Sequence, residues 1–141
     1  MTPAVAAAPA ALPAAETWRA AARRHEELFA ALDPGARIAL VARSAPTQAL
    51  LWQMGEQGVE AEAVTVEGHA ATRASIVLAA DDEALAQVCA AVDGALFEVL
   101  RAGIRSGRIV CYMLQRRCVL EERGFDELLD ALGFAFMGAC R

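Results

Sequence analysis

The sequence Arg37-Ile38-Ala39-Leu40-Val41-Ala42-Arg43 is a short apolar run typical of a buried β-strand. Residues 46–57 follow it with apolar side chains at helical spacing and predict a helix, and residues 59–66 then predict a second strand. The same order recurs further along the chain, where Ile76-Val77-Leu78-Ala79-Ala80 precedes a helical pattern and a last apolar run at residues 108–114. The sequence therefore predicts the unit β-α-β twice.

The link between the two units decides how their strands pair. About five to seven residues join the strand ending at Val66 or Glu67 to the one beginning at Arg73 or Ala74, too few for the crossover between parallel neighbours. We therefore expect an antiparallel hairpin here and a mixed or antiparallel sheet of four strands. This is the α+β, ferredoxin-like βαββαβ architecture. An open α/β sheet in which these two strands are parallel is the alternative.

Helical patterns account for most of the remaining chain. A first helix is predicted from Glu16 to Asp33-Pro34-Gly35, and a last one from Phe125 to about Ala139. The helix of the second unit begins at Asp81 and continues without a break to about Ile104. Residues 116–124 either extend the preceding strand or form a short fifth one.

The chain of 141 residues fits a single domain. Residues 1–15 are rich in alanine and proline, which bury little apolar surface, so we expect a disordered tail followed by one domain at residues 16–141. This tail lacks the basic start of a secretory signal, and the sequence has no stretch of about 18 uncharged apolar residues. These features predict a cytoplasmic protein that does not span a membrane.

The charge balance argues against binding to nucleic acid. The formal net charge is −5 and all 13 positive charges are arginines, whereas nucleic-acid-binding domains usually present a basic surface. Neither of the glycine-rich phosphate-binding motifs occurs. The Ser44-Ala45-Pro46-Thr47 turn before the predicted helix is at most a weak anion site.

The cysteines and histidines predict neither a metal site nor a cofactor. Cys89, Cys111, Cys118 and Cys140 include no Cys-x-x-Cys pair, so we interpret them as reduced thiols. Cys118 is a candidate reactive thiol, because the neighbouring Arg116 and Arg117 would lower its thiol pKa. An inert thiol is the alternative.

The histidines allow only a weak prediction of acid–base chemistry. His25 falls on the apolar stripe of the first predicted helix, where a core histidine is the ordinary interpretation. His69 lies in the loop of residues 68–72 beside Glu67, where it is a candidate general base. A simple turn residue is the alternative that we favour.

Arginines are concentrated in one part of the chain, at Arg101, Arg105, Arg108, Arg116, Arg117 and Arg123. Arg101 and Arg105 are one helical turn apart and share a face. Together with His69, this group is a candidate site for an anionic ligand. A solvated surface neutralised by neighbouring glutamates is the alternative interpretation.

Several large apolar residues lie outside the predicted apolar stripes of their helices. We predict that they contact a protein partner or a second copy of the chain, although a broad core contact explains them equally well. These residues are Trp52, Phe97, Phe134 and Met137.

No residue cluster in the sequence is typical of one particular reaction, so the functional prediction does not favour an enzyme. We expect a small cytosolic, non-enzymatic binding module, such as an assembly factor, chaperone or regulatory subunit, that acts through protein–protein contacts as a homodimer. The alternative is a ligand-binding domain or enzyme that uses His69, Cys118 and the arginines of residues 101–123 on an anionic ligand.

Overall fold

A single mixed sheet of five strands organises the protein in a computed structural model, which describes residues 11–134. The strands are β1 (Arg37–Ala42), β2 (Ala45–Gly55), β3 (Gly58–Thr65), β4 (Ile76–Ala80) and β5 (Ile109–Met113). Their spatial order is β3-β2-β1-β4-β5, in which only the β1–β4 pair is parallel. The predicted α+β class with a mixed sheet is confirmed, but the ferredoxin-like arrangement of four strands is not the one observed.

Five helices accompany the sheet within the described residues. They are α1 (Ala15–Arg24), α2 (Asp82–Ala91), α3 (Leu96–Ser106), α4 (Arg117–Glu122) and α5 (Asp126–Ala131), and 3₁₀ turns occur at Glu26–Leu28 and His69–Thr72. The Asp81 carboxylate caps α2 by accepting a hydrogen bond from the Ala84 N–H at 2.8 Å. The uninterrupted helix predicted from Asp81 is wrong, because the chain turns at residues 92–95 before α3 begins.

Other predicted helix boundaries also differ. The first helix ends at Arg24, well before the Asp33-Pro34-Gly35 stop, and residues 116–124 contain α4 instead of a strand. The last helix ends at Ala131, and the part predicted beyond residue 134 lies outside the described residues. Residues 1–10 of the predicted tail are also outside this range.

The helix predicted over residues 46–57 is wrong, because this segment is β2. Leu50 and Trp52 face the helices, whereas Ala49 and Leu51 face the opposite side of the sheet. All four side chains are buried, so the run shows no alternation of apolar and polar residues. A two-residue turn then leads into β3.

The antiparallel hairpin predicted between the strand at residues 59–66 and the strand beginning at Arg73 or Ala74 is also wrong. β3 and β4 run in the same direction with both β2 and β1 between them, so residues 66–75 cross the sheet. The Val66 N–H donates to the Thr47 carbonyl oxygen at 2.8 Å, and the Ser75 N–H donates to the Arg37 carbonyl oxygen at 3.0 Å. These contacts lie at opposite ends of β1, so the link covers part of the face away from the helices.

Aromatic side chains fill the core between the sheet and the helices. The Trp18 and Trp52 rings stack with centroids 4.0 Å apart and an interplanar angle of 5°. Phe29 meets Trp52 edge-on at 5.2 Å, and Phe97 contacts both Trp52 and Phe29. The Trp52 Nε1–H donates to the Trp18 carbonyl oxygen at 2.6 Å. This cluster joins α1, β2 and α3 into one core.

Candidate functional site

The outer edge of β5 is open within the described residues, because the sheet order ends at this strand. The Asp81 N–H donates to the Arg108 carbonyl oxygen at 3.0 Å, and the Leu114 N–H donates to the Ser75 carbonyl oxygen at 2.8 Å. Backbone groups alternate sides along a strand, so the even-numbered residues of β5 direct theirs toward β4. The backbone N–H and C=O groups that point away from the sheet belong to Ile109, Cys111 and Met113.

Close packing of α3 holds β5 in place. A Cβ atom added to Gly103 would lie 2.5 Å from the Ile109 Cδ1 atom, so a larger residue at position 103 would force the Ile109 side chain to move. Ile109 is buried beneath the helix. One side of β5 is therefore anchored by packing, while no strand among residues 11–134 pairs with its outer backbone.

Two apolar side chains next to this edge are exposed. Tyr112 is 43% exposed and Leu114 is 42% exposed, and they are the exposed large apolar side chains of the described chain. The His69 ring lies against Tyr112 with centroids 4.8 Å apart. We call the backbone edge of β5 together with Tyr112 and Leu114 the β5 edge.

The opposite edge of the sheet, at β3, is protected by α1. The Arg23 Nε–H donates to the Val59 carbonyl oxygen at 3.0 Å, and its Nη2 lies 2.8 Å from the Glu60 carboxylate. Arg19 reaches the same carboxylate at 3.5 Å. Charged side chains on an edge strand discourage pairing with another chain. The two edges of the sheet therefore differ in chemistry.

The arginine cluster predicted from the sequence divides into several environments. Arg101 and Arg105 line one cavity of about 390 Å³, together with Ile104, Asp130, Leu132 and Gly133. Arg108 pairs instead with Glu83 at 2.7 Å and Asp81 at 3.5 Å.

The other predicted arginines lie around α4. Arg116 is the residue before α4, Arg117 donates to the Phe134 carbonyl oxygen at 3.3 Å, and Arg123 follows the helix. His69 contacts Tyr112 on the other face of the sheet. The structure thus brings Arg101 and Arg105 together, and it does not gather all the predicted residues into one anion site.

A second cavity of about 550 Å³ lies where α1 meets the turn between β2 and β3. Phe29, Met54 and Val59 supply its apolar surface, and its charged lining residues are Arg23, Glu26, Glu27 and Glu56. These residues come from distant segments of the chain, so no sequence motif marks the cavity.

The described cysteines do not offer an activated nucleophile. Cys118 is disulfide-bonded, so the prediction of a reduced thiol is wrong at this position and the proposed reactive thiolate is absent. Cys89 and Cys111 are free, and burial raises the pKa of both thiols, that of Cys111 to about 12. Within residues 11–134, no group of three His, Cys, Asp or Glu side chains could hold a metal ion.

Two of the predicted partner contacts belong to the core of this chain. Trp52 is 1% exposed and Phe97 is 8% exposed, so their side chains are taken up by the aromatic cluster and not by a partner surface. Phe134 is half-buried and packs against the same core. Met137 lies outside the described residues.

No pattern in the sequence predicted the β5 edge. Apolar residues alternate onto both sides of this strand, a pattern that predicts a strand covered on both faces. The exposure of Tyr112 and Leu114 depends on which strand occupies the end of the sheet, and that position is a property of the fold.

No helix within residues 11–134 combines the length and apolar character needed to cross a membrane. Comparison with known proteins gives no match, either to a protein-family model or to a curated protein.

Proposed function

We propose that the chain is a non-enzymatic binding module that contacts a protein partner by strand addition at the β5 edge. An assembly factor, a chaperone or a regulatory subunit would work in this way. The observation that carries the proposal is the open backbone of Ile109, Cys111 and Met113 beside two exposed apolar side chains. Backbone pairing supplies affinity in such contacts, and alternate side chains supply specificity.

The contrast with β3 supports this assignment. Both β3 and β5 are edge strands, but the Val59 carbonyl oxygen on β3 is occupied by Arg23, and exposed Glu60 and Glu62 follow it. β5 contains no charged residue, proline or glycine within Ile109–Met113. An edge without such protection is open to pairing with another strand.

A photo-activated cross-linker at position 112 tests the proposal directly. We expect p-benzoylphenylalanine in place of Tyr112 to form a defined protein adduct in the native host. The same group in place of Glu62 on β3 is the control and should form none. The adduct should disappear when Met113→Pro is added, because proline removes an outward-facing N–H group. Absence of an adduct at position 112, or equal adducts at both positions, would contradict the proposal.

A second candidate function is the binding of a small anion in the cavity between α3 and α5. Arg101 and Arg105 both line this cavity, and neither forms an ion pair within the described residues. Two guanidinium groups one helical turn apart can share a phosphate or carboxylate ligand. Asp130 lines the same cavity and opposes anion binding.

Inorganic phosphate is the probe for this site. If phosphate binds with a Kd of about 1 mM, 10 mM phosphate should stabilise the fold by about 1.4 kcal/mol and raise Tm by roughly 5 °C relative to sodium chloride of equal ionic strength. The shift should vanish in the Arg101→Gln/Arg105→Gln variant and persist in Arg19→Gln, which alters an arginine of α1. An equal shift in all three proteins would exclude this site.

A further inference from the structure

We infer that β5 pairs with β5 of a second copy of this chain about a two-fold axis at Cys111, joining two five-stranded sheets into one continuous sheet. The inference rests on the proposed function, because it names the partner of the β5 edge. It specifies both the direction and the register of the pairing.

The backbone geometry selects this register. In an antiparallel pair centred on Cys111, Ile109 lies opposite Met113 of the second copy, and Cys111 lies opposite its own counterpart. The backbone groups of all three residues point outward from the sheet, so each opposing pair exchanges two hydrogen bonds, about six in total. A register shifted by one residue would direct the side chains to the wrong faces of the joined sheet.

The side chains across the axis are compatible in the same register. Val110 lies opposite Tyr112 of the second copy in a pair without mutual hydrogen bonds, where side chains approach most closely. This contact would cover Tyr112, which is 43% exposed in the single chain. On the other face, Ile109 meets Met113 and Cys111 meets Cys111. Every cross-strand pair within β5 is therefore apolar, which makes the strand complementary to itself.

The charges around the edge also permit a copy to approach. Arg108 precedes β5 and would lie opposite Leu114 of the second copy. Its guanidinium already lies 2.7 Å from Glu83 and 3.5 Å from Asp81, so much of its charge is balanced within its own chain. Within residues 108–114, approach of two identical strands therefore brings no unbalanced charge opposite another. On β3, Arg23 of α1 occupies the Val59 carbonyl oxygen and Arg19 pairs with Glu60, so charged side chains oppose pairing at that edge.

Light scattering after size-exclusion chromatography tests the association. We expect the full chain at about 100 µM to have twice the 14.9 kDa mass of one chain. Met113→Pro removes an outward N–H group and leaves the bonds to β4 in place, so it should give a folded monomer by circular dichroism. Glu62→Lys, at the opposite edge, should remain a dimer. If Met113→Pro does not fold, Val110→Lys serves instead, since it places a charge against Tyr112 of the second copy.

Disulfide trapping tests the register. Cys111 is free and would oppose itself in this register, so the test uses a Cys111→Ser background. When Val110→Cys and Tyr112→Cys are added to it, position 110 of one chain lies opposite position 112 of the other, so mild oxidation should yield a covalent dimer on a non-reducing gel. Each single cysteine variant in the same Cys111→Ser background should remain uncrosslinked, because neither position opposes itself. Equal trapping in the single variants would overturn the register.

The association experiment separates this inference from the proposed function. A wild-type monomer, or a dimer that survives both Met113→Pro and Val110→Lys, would overturn pairing of β5 with itself. The proposed function would stand in the first case if the cross-linker at position 112 still captured a different protein and lost it in Met113→Pro. A wild-type monomer that also forms no cross-linked adduct at position 112 would overturn both the pairing of β5 with itself and the proposed function.

Discussion

Replacing Trp52 with alanine is expected to lower the free energy of unfolding by about 3–5 kcal/mol, the usual cost of removing a large aromatic side chain from a core. The Trp52 ring stacks on Trp18, meets Phe29 edge-on and is 1% exposed, so its removal leaves a cavity that no surface side chain can fill. Urea denaturation followed by circular dichroism measures the change. A loss below about 1 kcal/mol would contradict a core organised around this ring.

Trp52→Phe separates the packing of the ring from its hydrogen bond. Phenylalanine retains an aromatic ring but cannot donate to the Trp18 carbonyl oxygen, which Trp52 Nε1–H reaches at 2.6 Å. The smaller ring and the lost bond should together cost about 1–3 kcal/mol, less than alanine does. Equal losses in the two variants would mean that the hydrogen bond, not the stacking, carries the stability.

Gly124→Ala is expected to lower the free energy of unfolding by about 3–5 kcal/mol, through backbone strain and a steric clash together. Gly124 has φ +86°, and a Cβ atom there would lie 1.9 Å from the Ala31 carbonyl oxygen and 3.1 Å from the Leu32 nitrogen. These are backbone atoms, so no side-chain rotation can relieve the contact. The Asp33 N–H donates to the Arg123 carbonyl oxygen beside it at 3.0 Å, which ties the two segments together.

Gly107→Ala is the matched control for this prediction. Gly107 has almost the same angle, φ +85°, but a Cβ atom there would meet nothing within 4 Å. The control should therefore lose only the cost of a left-handed backbone conformation, about 1–2 kcal/mol. Urea denaturation of the two variants in parallel measures the difference. Equal destabilisation would show that the close approach of Gly124 to Ala31 makes no contribution.

Local sequence patterns identified several elements of the fold correctly. The apolar runs that predicted strands at residues 37–43, 59–66, 76–80 and 108–114 overlap β1, β3, β4 and β5. The acidic residues at Asp81 predicted the start of α2, and the Asp81 carboxylate caps that helix. These signals are local, because burial and helix capping depend on residues close together in the chain.

β2 could not be recognised in the same way. Leu50, Leu51 and Trp52 are all buried, and a strand buried on both faces shows an apolar run that a buried helix also shows. Its partners β1 and β3 supply the hydrogen bonds that make it a strand. The candidate partner surface could not be recognised from the sequence either. Trp52 and Phe97 were predicted as partner contacts because they lie outside the predicted apolar stripes of their helices, but both lie in the core.

The sequence by itself determined which segments are apolar enough to be buried and where several of them begin. Only the tertiary structure decided that two strands separate β3 from β4, that residues 66–75 cross the sheet and that β5 occupies an edge. The physical reason is that hydrophobic patterns report burial, whereas backbone hydrogen bonds are chemically alike in every strand. The choice of neighbours therefore depends on packing of the whole chain, and it is this choice that leaves the β5 edge open.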